Sequence, residues 1–378
     1  MKVSLELQPI LKAKSGVGWY TYNIIKELIS RNIELNGQVF NFLGRNDVQD
    51  SIKDLNINIE TCKAIPYGVY RRMWNYVPVP YDILFKTRSD INHFFNFIIP
   101  PGIKGKTIVT IHDMVHKKFP ETMTKANLKR LNNDLERSAN RADLIITVSE
   151  NSKKEIMQYL NIEASKIKIV PPGIDESLYS MEFTYENINY VREKYNLPQQ
   201  YFLYLGTLEP RKNIESIIEA FALYKKKNKD NIKLVIAGGK GWGYESIFNK
   251  VEKHSLTKEI IFTGYVDEKH KAYLYKMAKA FLFPSLYEGF GMPVLEAMAL
   301  GVPVITSNTS SITEVCGNAA ILVEPKDIEA IVSGMELLSY NEDFSDKLIS
   351  EGLEQSKKFT WKRSVDTLVE IYIELGER

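Results

Sequence analysis

Apolar positions in the C-terminal half of the chain fall into short runs at Tyr201–Leu205, Lys233–Ala237, Ile260–Phe262, Ala280–Phe283, Val302–Thr306 and Ala320–Val323. Between them, apolar residues recur at helical spacing over Ile214–Lys227, Glu245–His254, Glu268–Ala278, Val294–Leu300 and Ser311–Val315. Short apolar strands alternating with amphipathic helices predict parallel βαβ units and a doubly wound α/β sheet. The N-terminal half repeats the pattern less regularly. Strands are predicted at Lys2–Leu7, Gln38–Leu43, Ile91–Phe95, Thr107–Ile111, Leu144–Val148 and Lys168–Val170, with helices over Gly18–Arg31, Thr124–Arg141 and Asn151–Tyr159. Ser149 stands where the last of these needs an N-cap. Pro171-Pro172-Gly173 makes a sharp stop, and the polar residues 174–190 read as a linker. Two Rossmann-like domains follow, 1–175 and 176–360, expected to face each other across a cleft at the carboxyl ends of their strands. Residues 361–378 hold a final helix whose Val365, Leu368, Val369, Ile371 and Tyr372 form an apolar face that must be buried.

Composition narrows the classes. The 378 residues are 44% hydrophobic and 25% charged, which is globular rather than disordered or fibrous. Cys62 and Cys316 are too few and too far apart in sequence for a disulfide framework or a cysteine zinc cluster. The net charge of +2 conceals an asymmetry: residues 1–180 hold 25 basic and 19 acidic side chains (+6), and 181–378 hold 24 and 28 (−4). The basic half could meet a phosphate-bearing or membrane-borne partner, or its charges could simply be solvated. Glu6 interrupts what a signal peptide would need as an apolar core, and the uncharged stretch 91–103 is short and broken by two prolines. A cytoplasmic protein is expected, with peripheral attachment to the inner face of the membrane left open.

Four loops could carry chemistry. Glu288-Gly289-Phe290-Gly291-Met292-Pro293-Val294-Leu295-Glu296 joins a strand to a helix. Its glycines let backbone approach a ligand, the helix start offers N–H groups to an anion, and its two carboxylates suit vicinal sugar or ribose hydroxyls. Gly206-Thr207-Leu208-Glu209-Pro210-Arg211-Lys212-Asn213 places two adjacent cations after the first strand of the same sheet, where the charge of a departing diphosphate could be stabilised. Lys14-Ser15-Gly16-Val17-Gly18-Trp19-Tyr20 resembles part of a dinucleotide fingerprint. Thr21 replaces its third glycine, which disfavours an NAD-dependent oxidoreductase. His112, in Ile111-His112-Asp113-Met114, ends a strand and could bond a sugar hydroxyl. With His116 it lacks the carboxylates of a metal site. The chain contains no Asp-x-Asp clamp and no P-loop.

In this order, the glycine loop, His112-Asp113, Pro171-Pro172-Gly173-Ile174-Asp175, Arg211-Lys212-Asn213 and Glu288-x7-Glu296 resemble a retaining glycosyltransferase of family 4 with the GT-B fold, across essentially the whole chain. The resemblance implies transfer of a hexosyl unit from a nucleotide-diphosphate sugar to a hydroxyl of a saccharide or lipid-linked acceptor, with no cofactor, no metal and no nucleic-acid partner. Arg211 and Lys212 would bind the diphosphate. Glu288 would hold the donor sugar, helped by backbone N–H groups of Phe290, Gly291 and Met292, and Glu296 would grip the ribose. His112 would contact the transferred sugar, Gly16 and Gly18 would close over phosphate, and Val266 and Lys271 would lie near the base. Catalysis would rest on His112, Glu288 and Lys212. Some relatives place Arg where Thr207 stands, so either Arg211 supplies that charge or Thr207 supplies a hydroxyl. GDP-mannose is the first expectation for the donor, and surface polysaccharide or glycolipid the setting. A nucleotide-sugar 2-epimerase of the same fold and a non-catalytic nucleotide-sugar-binding protein are the competing readings.

The acceptor side is expected in the N-terminal domain. There Tyr67-Gly68-Val69-Tyr70-Arg71-Arg72-Met73-Trp74 mixes aromatics with arginines, and Tyr70, Arg71, Arg72 and Trp74 could dock a lipid-linked acceptor at an anionic surface. The same segment could equally pack on its own domain.

Overall fold

The computed structural model describes every residue except 12, 13, 15, 45–51, 53, 54, 75 and 378. The described chain divides into two compact units. One comprises Met1–Lys118, Lys125–Gly173 and Trp361–Arg378; the other comprises Phe119–Thr124 and Ile174–Thr360.

The first unit is built on seven parallel strands: β1 (Lys2–Glu6), β2 (Glu34–Phe40), β3 (Asn58–Cys62), β4 (Ile91–Phe94), β5 (Lys106–Thr110), β6 (Leu144–Thr147) and β7 (Ile167–Ile169). Their order is β3-β2-β1-β4-β5-β6-β7, with Val3 paired to Leu35 on one side and to Ile91 on the other. The second unit has six: β8 (Tyr201–Leu205), β9 (Lys233–Ala237), β10 (Ile260–Gly264), β11 (Ala280–Phe283), β12 (Val304–Ser307) and β13 (Ile321–Val323), in the order β10-β9-β8-β11-β12-β13. Helices cover both faces of such sheets, so both sides of each strand are apolar. Accordingly β8 and β11 are buried along their whole length.

Strand order reverses between β1 and β4 in the first sheet and between β8 and β11 in the second. The crevice that receives a ligand opens at such a reversal, beyond the carboxyl ends of the strands. The loops that matter are therefore those leaving Glu6, Phe94, Leu205 and Phe283.

Several elements differ from the sequence expectation. The edge strand β3 and the helices Tyr67–Met73, Ile328–Tyr340 and Glu342–Ser356 were not predicted. The polar stretch 174–190, expected as a linker, carries regular structure. It holds a 3-10 turn over Glu176–Ser180 and a helix over Tyr185–Lys194, capped by Thr184, whose hydroxyl accepts from the Asn187 N–H. Capping chemistry, not hydrophobic periodicity, starts that helix. Ser149 caps Glu150–Leu160 as expected, accepting from the Ser152 N–H at 3.1 Å.

The final helix, Trp361–Gly376, packs in the first unit against Gly16–Leu28. Its buried stripe includes Val365, Leu368, Ile371 and Tyr372. Polar ties fix its register: the Tyr372 hydroxyl bonds His93 Nδ1 at 2.7 Å, Ser364 donates to the Pro171 carbonyl, and Arg31 pairs with Asp366. His93 is fully buried, and burial together with the nearby His112 pulls its pKa down to about 3.

Candidate active site

In the second unit the chain leaving β8 passes through Gly206 and the exposed Thr207 into a 3-10 turn at Pro210–Lys212. Asn213 ends that turn in the left-handed region (φ 57°) and starts the helix Ile214–Lys227. Its side-chain amide donates to the carbonyls of Pro284 and Pro325, at 2.9 and 2.6 Å, which ties the loop to the ends of β11 and β13. Left-handed backbone is tolerated better by Asn than by most residues, so one residue makes the bend and the two ties. From β11 the chain runs through Glu288 to Gly291. Gly291 has φ 112°, and a Cβ there would stand 2.6 Å from Ile312 Cδ1, so the position requires glycine before the helix Met292–Ala299.

These two loops bring Arg211, Lys212 and Glu288 together. Lys212 Nζ lies 2.7 Å from Glu288 Oε1, and Arg211 Nη1 lies 3.0 Å from Oε2. Arg211 also reaches the Tyr287 carbonyl (2.7 Å) and Glu209 (2.8 Å). Glu288 is itself held by its backbone. Its N–H donates to Ser310 Oγ, and its carbonyl accepts from Ser311 Oγ, which also donates to the Phe290 carbonyl. Burial alone would raise the Glu288 pKa, but the charges of Arg211 and Lys212 outweigh it and hold the group at about 2. Lys212 shifts downward, because its burial and the neighbouring Arg211 prevail over the attraction of Glu288. The knot therefore contains a firmly ionised carboxylate and two crowded cations. An incoming diphosphate can replace the carboxylate as their partner.

Glu296, four residues into the following helix, belongs to a second group. The Tyr275 hydroxyl donates to Glu296 Oε2 at 3.1 Å, and Lys271 lies within electrostatic reach while pairing with Glu268 at 2.6 Å. Burial, with some repulsion from Glu268, raises the Glu296 pKa despite Lys271. Val266 is buried just beyond β10, at the entrance to the helix Glu268–Lys276 that carries Lys271 and Tyr275. Phe290 is buried beside Phe359, so from it only backbone remains for a ligand. Nothing in the motifs points to Glu268, Tyr275, Ser310, Ser311 or the double tie of Asn213. The Glu268-x-x-Lys271 spacing on one helix was the only sequence signal for any of them.

In the first unit, His112 follows β5, and its Nε2 bonds the Phe95 carbonyl at 2.8 Å. A carbonyl only accepts, so Nε2 carries the proton and Nδ1 is left as an acceptor. Burial pulls the His112 pKa down to about 4, although the bond to Phe95 acts the other way, so the ring is neutral at physiological pH. The helix Gly16–Leu28 begins at the glycine loop, whose Ser15 lies outside the described residues. Gly16 has open space around it. A Cβ on Gly18 would stand 2.8 Å from the Pro9 carbonyl, so close packing there requires a glycine. Tyr70 is fully buried against Phe40, with its hydroxyl on the Val79 carbonyl. Of the expected acceptor segment, Arg71, Arg72 and Trp74 keep exposed surface. No group of three or more His, Cys, Asp or Glu side chains suited to a metal ion occurs among the described residues.

Two doubly wound units in one chain, each a parallel sheet with a reversal of strand order, are the architecture of GT-B glycosyltransferases. Sucrose-phosphate synthase from Thermosynechococcus elongatus matches with a TM-score of 0.76 at 18% identity, covering 99% of this chain and 98% of that one. Anabaena HepE, solved with UDP and glucose, matches with a TM-score of 0.77 at 17% identity over 98% and 99% of the two chains. At the sequence level, the profile described as "Glycosyltransferase Family 4" matches residues 14–178, and "Glycosyl transferases group 1" matches 188–355. O-antigen chain mannosyltransferase B of Escherichia coli is 31% identical, over 98% of this chain and 99% of its own. The chain belongs to glycosyltransferase family 4.

Proposed function

We propose that this glycosyltransferase is a retaining mannosyltransferase that uses GDP-mannose and extends a surface polysaccharide of the O-antigen kind. The knot of Lys212, Arg211 and Glu288 at the reversal between β8 and β11 carries the donor assignment. The whole-length similarity to an O-antigen mannosyltransferase supports mannose as the sugar. In this reading the diphosphate takes Lys212 and Arg211 from Glu288, and the released carboxylate turns to hydroxyls of the donor sugar. Two cations and the N-terminus of the helix Met292–Ala299 then spread the leaving-group charge, the task a metal ion performs elsewhere. Glu296 accepts from the ribose hydroxyls, and neutral His112 accepts a hydroxyl of the transferred sugar at Nδ1.

Retention follows a front-face course. The departing phosphate oxygen takes the proton of the acceptor hydroxyl as that oxygen bonds to the anomeric carbon on the same face, and no enzyme–sugar bond forms. A trapped glycosyl-enzyme would contradict this course. A panel of nucleotide sugars, read by thermal shift and by product, tests the donor: GDP-mannose should stabilise the fold most. Stabilisation by a UDP-sugar alone would overturn the choice of base.

Peripheral membrane contact belongs to the same proposal. Val69, Tyr76, Val77 and Ile83 are exposed on one stretch of the first unit, next to exposed Arg72. Apolar side chains beside a cation suit an anionic bilayer surface. No helix among the described residues is long and apolar enough to cross a membrane. Binding to phosphatidylglycerol vesicles that weakens with salt and with Ile83→Asp is expected; failure to bind them at low salt would refute the contact.

A further inference from the structure

The loop that carries Arg211 and Lys212 also bounds a cavity that the donor chemistry leaves unused. Glu209 and Asn213 line this space of about 440 Å³, and its lining includes none of Arg211, Lys212 and Glu288. The helices Ile214–Lys227 and Glu245–Lys253 and the turn after β13 complete its walls, so it lies wholly in the second unit. Its size falls within the range of small-molecule sites. Glu209 belongs to both places, because its Oε1 lies 2.8 Å from Arg211 Nη2.

The other polar groups of the wall are mostly engaged. Lys250 pairs with Glu219 at 2.7 Å, Ser216 donates to Asn213 Oδ1 at 2.7 Å, and the Asn213 amide is spent on Pro284 and Pro325. Two charges are left over. The side chains of Glu215 and Lys326 make no ion pair or hydrogen bond with any described residue. They are opposite in sign and stand on different elements, the first turn of Ile214–Lys227 and the turn after β13. Between them the wall is apolar, with Ile214 and Ile247 buried and Ile328 partly so.

These leftovers select the ligand class. A phosphate would meet three carboxylates, Glu209, Glu215 and Glu219, against two lysines, Lys250 and Lys326. A simple amine would leave Lys326 without a counter-ion, and a neutral molecule would strip water from both charges for no return. A zwitterion with an aliphatic body answers all three surfaces. We propose that this cavity binds a small zwitterion of the apolar α-amino-acid class, its ammonium on Glu215 and Glu209 and its carboxylate on Lys326. An ammonium on Glu209 competes with Arg211 for that carboxylate. Arg211 then turns more of its charge to the diphosphate, so the amino acid raises donor affinity and the diphosphate raises amino-acid affinity by the same factor. The coupling rests on the diphosphate reading above; the binding does not.

The test is calorimetry on the full chain with L-valine, L-leucine, L-isoleucine and L-methionine, each with and without GDP. The best binder should lose at least about tenfold in affinity as its methyl ester or its N-acetyl derivative, each lacking one charge. Glu215→Gln and Lys326→Gln should each weaken it on the same scale. Both variants should keep wild-type melting temperature and wild-type GDP affinity in the absence of amino acid. Saturating amino acid should raise the GDP affinity of wild type at least about fivefold. Glu209→Gln, which withdraws the same charge from Arg211, should raise GDP affinity without amino acid and respond no further to it. Absence of binding by all four amino acids overturns the proposal, as does unaltered affinity in both Glu215→Gln and Lys326→Gln. GDP affinity indifferent to bound amino acid overturns the coupling. Failure of the diphosphate reading would look different: wild type would bind no GDP, while amino-acid binding and its loss in the two variants would persist.

Discussion

Replacing Glu288 by Gln should destabilise the free protein and tighten its grip on GDP. The shift of the Glu288 pKa from 4.5 to about 2 corresponds to roughly 3 kcal/mol favouring the ionised form. Lys212 returns part of this, because its own pKa moves down through burial and the proximity of Arg211. A net loss of about 2 kcal/mol is then expected, or a fall of about 4–8 °C in Tm for a unit of this size. The pH dependence follows from the sign. A carboxyl whose pKa is depressed by folding contributes fully above 4.5 and loses that contribution as pH falls toward 2, so wild type and variant should converge in that window. The amide leaves Lys212 without its paired anion and Arg211 with Glu209 alone. GDP affinity, read by calorimetry, should therefore rise several-fold (~3–10) even as transfer falls. An unchanged unfolding midpoint would show that the ion pairs contribute nothing, and weaker GDP binding would show that the two cations do not receive the diphosphate.

Asn213→Ala should cost about 3 kcal/mol in urea unfolding, because the Pro284 and Pro325 carbonyls lose their donor and alanine is strained at φ 57°. Asn213→Gly, which relieves only the strain, should cost less; equal losses would remove strain from the account. Folding lowers the pKa of His112 and His116 to about 4 and of His93 to about 3, in each case chiefly through burial. The unfolded chain therefore takes up these protons first, and stability should be complete above pH 6.5 and decline as pH drops toward 4. Rising stability over that interval would contradict the buried neutral rings. His112→Phe should reduce transfer without altering the shape of the pH–rate profile above pH 5, because the native ring is already uncharged there.

Strands with continuous apolar sequence were legible because both faces of a parallel sheet are buried, so Tyr201–Leu205 and Ala280–Phe283 declare themselves without context. The edge strand Asn58–Cys62 is polar at most positions and is specified by its pairing with β2, a long-range fact absent from its own residues. Tyr185–Lys194 was obscured for a related reason: a short amphipathic helix in a polar stretch is announced only by its cap. At the candidate site, the glycine loops and the Arg211-Lys212 pair were readable as motifs. That these cations are held by Glu288 was not readable, because 76 residues separate Lys212 from it and a contact of that kind exists only once β8 and β11 lie side by side.

The central claim is that Lys212 and its partners hold the diphosphate of a mannosyl donor. Its most direct measurement is NMR-monitored transfer from GDP-mannose to a mannose-terminated oligosaccharide in the presence of a chelator, for wild type and Lys212→Ala. The account predicts an α-linked product whose formation is insensitive to the chelator, with turnover in the variant lower by about 100-fold or more, the scale of losing one preorganised charge donor. Normal turnover in Lys212→Ala, or inversion at the anomeric carbon, would contradict it.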